Sequence, residues 1–478
     1  MNPKEKSMGL NAILYASRTV LSIIFPLVTY PYAARVLEVE NMGAVQYTAS
    51  IVSYFLLVAE LGITTYAMRE GAQYRDNKKE LEKFSSEVFS IGLVSSISAT
   101  FVLAFCILFI PLFKTYTALF LVQGVSVLGN CLAINWLYTI KEDFGYIALR
   151  SLVVHIVALV LMFIFVRTRD DYVIYAATTV VANTGANVFN YFNARKYCRI
   201  QIRRFKEWKH HLKSICIIFG SSVTATIYGN SDKTMLGVMA GNYSVGLYGT
   251  SVNVYSALKG CISAVALSTL SRLSFYKNSG NIVEYEKTAN RILSAILILL
   301  LPVVTGVFCI SDEIILLIGG RSYIEASLSL KILSIGMFFS LMAIFYTSVV
   351  LLPNHQELII MKGSIVSAVL NVILNLLLLT QFKQNGAAFT TLLAEMYMFS
   401  YEAYKSRKLI NLKPDRRLIL SAVLGCVVIV IMTLVISRLN LSFVLGLLAK
   451  IMLSGLIYAA IVVTIGKVKP KDILRLKS

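Results

Sequence analysis

Runs of about twenty apolar residues, almost free of charge, follow one another along nearly the whole chain. Each such run is long enough, as a helix rising about 1.5 Å per residue, to cross a hydrocarbon core of about 30 Å. An all-α integral membrane protein is therefore expected, with about fourteen transmembrane helices. They fall near 11–36, 42–67, 87–110, 115–140, 146–166, 172–194, 214–238, 245–271, 288–310, 324–351, 358–380, 386–404, 418–437 and 443–466. The first run contains Arg18, Pro26 and Pro31 and no small-residue cleavage site, so it reads as a membrane helix and not as a cleavable signal.

The formal charge of +20, from 45 Lys+Arg against 25 Asp+Glu, would suggest nucleic acid in a soluble chain. Here the position of the cations explains it. With fourteen spans, the loops on the side of the termini carry thirty-two Lys and Arg and the opposite loops six. That asymmetry places both termini in the cytoplasm and leaves no reason to invoke nucleic acid. No soluble domain interrupts the spans and no GxxxxGK[ST] loop appears, so the chain brings no ATPase of its own. Seven singly scattered cysteines and four histidines, of which only His210 and His211 are adjacent, argue against a disulfide framework and against a metal centre.

Internal repetition is visible at an offset of 203, which aligns Gly43-Ala-Val45 with Gly246-Leu-Tyr248. The hydropathy agrees: six spans (1–194), a basic linker (195–213), six spans (214–404), then two spans and a basic tail (405–478). Two pseudo-symmetric six-helix lobes around a central cavity are expected, an arrangement transporters build from repeats. The linker mixes Ile200, Ile202, Phe205, Trp208 and Leu212 with cations, and an amphipathic helix on anionic lipid is expected there; a simple topogenic loop is the alternative.

A charge at a helix centre costs roughly 2.5–3.5 kcal/mol on insertion scales, so the charges inside spans are where function is sought. They are Arg18, Lys233, Lys259, Lys331 and Lys450, with Glu60, Asp232 and Glu395. Five cations against three acids leave a positive surplus, which suits an anionic ligand such as a charged lipid head group. The cations are the candidate substrate contacts, and the three carboxylates the candidate proton or sodium sites. Arg18 and Glu60 lie at similar depth and can instead form a structural pair, and Lys331 and Lys450 can snorkel to the interface. Lys259, about fourteen residues into its helix, has no interface in reach. His155 is expected as a hydrogen-bonded core histidine, and Tyr66, Tyr138, Tyr146, Tyr30, Tyr32, Tyr172 and Tyr175 as interface belts. Pro26 and Pro31 mark a hinge or a static kink in the first helix.

The stretches PLVTYPYAARVL (26–37), LVAELGITTYAMREGAQYRDNKKELEKFSSEVF (57–89) and IYGNSDKTMLG (227–237) resemble the polysaccharide biosynthesis flippases of the Wzx type, within the multidrug/oligosaccharidyl-lipid/polysaccharide exporter superfamily. The resemblance runs in order along the whole chain. It implies a transporter and not an enzyme, one that moves an undecaprenyl-diphosphate-linked oligosaccharide across the bacterial inner membrane for surface polysaccharide such as O-antigen. Membrane lipids and a polysaccharide polymerase machinery are the partners it implies, without a cofactor beyond a coupling ion. A lipid II flippase or a multidrug exporter of the same superfamily, and a membrane polymerase, are the alternatives. The cationic surplus speaks against the exporter, and the short external loops against the polymerase.

Overall fold

The computed structural model describes residues 8–267, 269–439 and 441–466, with the side chains of 8–24, 221, 265 and 271 left aside. Every regular element among them is helical. In chain order these are α1 (Met8–Glu60), α2 (Ile63–Gly71), α3 (Lys78–Phe109), α4 (Pro111–Thr115), α5 (Thr117–Gly129), α6 (Asn135–Ile140), α7 (Phe144–Phe165), α8 (Tyr172–Asn193) and α9 (Phe205–Trp208). There follow α10 (Leu212–Leu267), α11 (Leu270–Asn278), α12 (Ile282–Cys309), α13 (Ser311–Gly319), α14 (Ala326–Phe345), α15 (Glu357–Ser406), α16 (Arg416–Ser437) and α17 (Phe443–Thr464). Among the described residues nine helical stretches are long and apolar enough to cross a membrane. Large apolar side chains such as Phe101 and Leu108 on α3 stand open at the surface, as lipid-facing positions must. The chain is a multi-pass membrane protein.

Three of the long helices carry one non-helical residue each: Glu38 in α1 (φ 61°, ψ 176°), Gly241 in α10 (φ 80°, ψ 172°) and Lys383 in α15 (φ 47°, ψ −128°). Each is a single-residue break in the helical ladder. The first two have nearly the same dihedrals and lie 203 residues apart, the offset at which the sequence repeats. In α1 the helical geometry fails at Glu38 and not at Pro26 or Pro31, both of which sit inside helix.

The chain divides into two compact units, 1–246 and 247–478. In the first, α1 packs on α3, α5 and α7, and α5 and α7 on α8. In the second, α12 packs on α14 and α16, α14 on α15, and α16 on α17. The C-terminal pair is fastened to α12 by an apolar cluster of Leu418, Ala422, Ile429, Tyr458 and Val462 with Ile298 and Leu301. The Tyr458 hydroxyl adds a 2.7 Å hydrogen bond to the Ile298 carbonyl.

The segment 195–213, expected as an amphipathic helix, is not one continuous helix: residues 198–204 carry no helix at all. Short pieces flank that stretch, a 3-10 turn at Ala194–Lys196 before it and Phe205–Trp208, a 3-10 turn at Lys209–His211 and the start of α10 after it. Its backbone finds partners on α3: the N–H groups of Arg199, Gln201 and Arg203 donate to Glu82 Oε2, Ser86 Oγ and Ser90 Oγ at 3.3, 3.0 and 2.7 Å. Alternate residues of an extended chain meet every fourth residue of a helix, because two residues of strand and four of helix both advance about 6–7 Å. This strap has a counterpart in the second unit, where Asn411 and Lys413 N–H donate to Glu286 Oε1 and Asn290 Oδ1 on α12 at 3.3 and 2.6 Å. Glu286 and Asn290 lie 204 residues beyond Glu82 and Ser86.

Candidate functional site

The breaks at Glu38 and Gly241 bring two chain segments of the first unit into backbone contact. A Cβ on Gly43 would stand 1.9 Å from the Asn242 carbonyl oxygen, and one on Gly246 2.2 Å from the Val39 carbonyl oxygen. Each glycine meets the residue equivalent, at the 203 offset, to the one its own counterpart meets, so the contact has local two-fold character. Neither position tolerates a side chain without backbone movement. Below it, a Cβ on Gly237 would lie 2.0 Å from the Tyr47 ring, Ser50 Oγ and Thr234 Oγ1 are 2.9 Å apart, and Tyr54 Oη is 3.2 Å from Thr234 Oγ1. Asp232 and Lys233 sit on this stretch of α10, Asp232 buried and Lys233 half-buried. Glu60 is exposed at the end of α1, beside the reversal at Leu61 and Gly62, and lines a shallow recess with Thr64, Asn130 and Trp136. Arg18 lies outside the residues whose side chains are described. Pro26 is exposed and Pro31 half-buried.

The second unit holds a lysine–carboxylate pair within its helices. Lys259 Nζ lies 3.2 Å from Glu395 Oε1 and 3.3 Å from Tyr255 Oη, and Tyr255 donates to the same carboxylate at 3.1 Å. Glu395 is 7 % exposed in this triad, whereas the lysine keeps 27 % of its side chain open. Two turns further along α15, Glu402 is fully buried and accepts the Thr347 hydroxyl at 2.8 and 2.9 Å. Thr347 belongs to a π-helical segment, Tyr346–Leu351, an irregularity frequent at functional sites. Lys331 and Lys450 each have an acidic partner: Lys331 binds Asp312 at 3.0 Å and Lys450 binds Glu313 at 2.5 Å. Two neighbouring acids at the start of α13 thus tie down α14 and α17. The positive surplus read from the sequence shrinks accordingly, because its count omitted acids placed in a loop.

A third cluster lies at the strap. His211 Nε2 donates to Glu87 Oε2 at 2.9 Å, and the Tyr66 hydroxyl bonds His211 Nδ1 at 2.6 Å, all three buried. Tyr66 and Tyr138 are therefore core residues and not interface anchors; Tyr138 is fully buried and donates to the Asn190 carbonyl at 2.6 Å. Buried Arg150 donates to Asn135 Oδ1 at 3.0 Å. Glu142 takes a 2.6 Å bond from Arg75, which holds its carboxyl below the ordinary range. His155 has its Nδ1 2.6 Å from the Ser151 carbonyl, the hydrogen-bonded role expected of it. Hydropathy misses Asp312 and Glu313, which lie just beyond the span limits, and Glu87 and Glu402, which stand at the edges of the spans 87–110 and 386–404 and look like interface residues.

Residues 8–271 match the family described as polysaccharide biosynthesis protein. A protein of Escherichia coli (strain K12) named "Putative O-antigen transporter" is 25% identical over 422 residues, 84% of this chain and 97% of that one. Among solved structures, "Lipid II flippase MurJ, inward closed conformation" superposes with a TM-score of 0.74 at 15% identity, covering 95% of this chain and 98% of its own. An inward-facing multidrug resistance MATE family transporter of the MOP superfamily gives 0.63 at 12%, covering 83% and 97%. At those identities the two structures establish the fold alone.

Proposed function

Because this chain belongs to the polysaccharide biosynthesis protein family, we propose that it is a flippase, moving an undecaprenyl-diphosphate-linked oligosaccharide from the inner to the outer leaflet of a bacterial cytoplasmic membrane. The observation that carries this is the family match over 8–271, on a chain of which 95% superposes on a flippase fold. Dividing the three broken helices and counting α5 and α8 reads as fourteen crossings, with both termini cytoplasmic.

In this reading the glycine contact of Gly43 and Gly246 lies at the outer ends of the helices and parts when the glycan is released. Lys259 is the favoured diphosphate contact: it is held beside Glu395, yet keeps part of its surface open. When a phosphate competes with Glu395 for the ammonium, the freed carboxylate can take up a proton or a sodium ion, which links anion binding to a cation gradient. Arg18 and Lys233 are secondary contacts, Glu60 and Asp232 alternative ion sites, and Lys331 and Lys450 structural.

The test is reconstitution into liposomes with a defined undecaprenyl-diphosphate oligosaccharide, with and without a proton or sodium gradient. Glycan reaching the outer leaflet at a rate lowered at least tenfold in Lys259→Gln supports the reading. Equal movement of lipid II, or none of either glycolipid by folded protein, sinks it.

A further inference from the structure

We propose that Glu87, His210 and His211 form a zinc-binding site that staples the 195–213 strap to α3. This goes beyond the transport reading and does not rest on it. Among the described residues these three are the group whose ligating atoms converge, all lying within 4.8 Å of one another. Sequence spacing gave no such site, because Glu87 stands more than 120 residues from the histidines and only the docking of the strap brings it to them.

The donor set suits the ion. Two imidazole nitrogens and one carboxylate oxygen, with a fourth position left to water, are a common zinc complement. Bonds of about 2.0–2.1 Å in a tetrahedron set the donor atoms about 3.3 Å apart. The 2.9 Å between His211 Nε2 and Glu87 Oε2 is already near that value, and the two imidazole rings have centroids 3.8 Å apart. Glu87 and His211 are buried and fixed, whereas His210 is exposed and able to swing the remaining distance.

The surroundings supply what a metal-bound histidine needs. Its second nitrogen is usually held by a hydrogen-bonding partner, which fixes the ring and its tautomer. Here that partner is Tyr66, 2.6 Å from His211 Nδ1. In the metal-free arrangement Nε2–H donates to Glu87. On binding, the proton moves to Nδ1 and is donated to the tyrosine oxygen, which frees the Nε2 lone pair for the ion. Phe84 packs its ring edge to face with His211 at 5.7 Å, and Trp208 is buried in the same apolar cluster. The ion thus sits at the rim of a dry wall, open on the His210 side.

The consequence is mechanical. The strap is held by single hydrogen bonds from its backbone to α3; a metal at its end would add a bond that thermal motion does not break. Zinc would then set how freely α10 begins its path out of the strap.

The full-length protein, purified in detergent without a histidine tag, is titrated with zinc sulfate. Bound metal is measured by elemental analysis after dialysis and followed through Trp208 fluorescence in a Trp136→Phe background. One zinc per chain is expected, with magnesium giving no signal. His210→Ala, which leaves the Glu87–His211–Tyr66 bonds intact, should weaken binding at least tenfold without moving the zinc-free melting temperature. Glu87→Gln should do the same to binding. Failure of the wild type to retain zinc, or retention undiminished in His210→Ala, overturns the proposal.

Discussion

In the first unit the strap along α3 ends on the buried pair of Glu87 and His211; in the second the strap along α12 ends on Asp415, which caps α16. At the place of Glu87, 204 residues on, stands the exposed Arg291. Conversely, the second unit holds a lysine–carboxylate pair within its helices at Lys259 and Glu395, and α1 and α3 show no lysine–carboxylate pair among the described residues. Helix breaks, tight glycines and straps repeat, whereas the charged pairs do not. Backbone geometry is what a repeat must preserve to keep folding. Charge can be relocated to whichever half has a use for it, at the cost of desolvation.

The sharpest way to test that contrast is to remove the charge. Lys259→Ala should cost about 3–5 kcal/mol, because it strands Glu395 without its cation. The double variant Lys259→Ala with Glu395→Ala should recover part of that loss. Thermal unfolding in detergent measures both, and equal stabilities for the single and double variants would deny the pair. Next in size, Gly43→Ala and Gly246→Ala should each cost about 1–3 kcal/mol of the contact, and by similar amounts, since a Cβ meets a carbonyl in both. Cross-linking between cysteines introduced at Val39 and Asn242 reports it, and unequal losses would break the local two-fold symmetry. Third, Ser90→Ala and Asn290→Ala each remove one strap bond and should cost about 1 kcal/mol. Limited proteolysis should cut the second strap more readily than the first, which the His211 pair secures. The smallest effect is expected from Glu142→Gln, whose exposed partner Arg75 makes the bond worth under about 1 kcal/mol, too little to shift the melting temperature measurably.

Much of this was legible before any coordinates. Apolar run length gives the helices, since the bilayer imposes it, and the alignment of Gly43 with Gly246 picked out two residues that meet their partners reciprocally. The stretch 198–204 escapes a search for a helical period, although Cys198, Ile200 and Ile202 alternate with Arg199, Gln201 and Arg203 in the two-residue period of an extended chain. Three pairings escape for a different reason. Hydropathy places helix ends to within several residues, and Glu87, Asp312 and Glu313 fall in that margin, where a charge looks like a loop residue. Lys259 stood out because no margin was near it.

The shared 203-residue spacing is what a tandem duplication would leave. An ancestor of half the length would have assembled as a symmetric dimer, in which every substitution is made twice. A lysine at the place of Lys259 would then have entered both copies, with its desolvation cost doubled and its effect mirrored. Fusion of the copies into one polypeptide would release them to diverge, and only after that event could one half carry a lysine–carboxylate pair that the other does without.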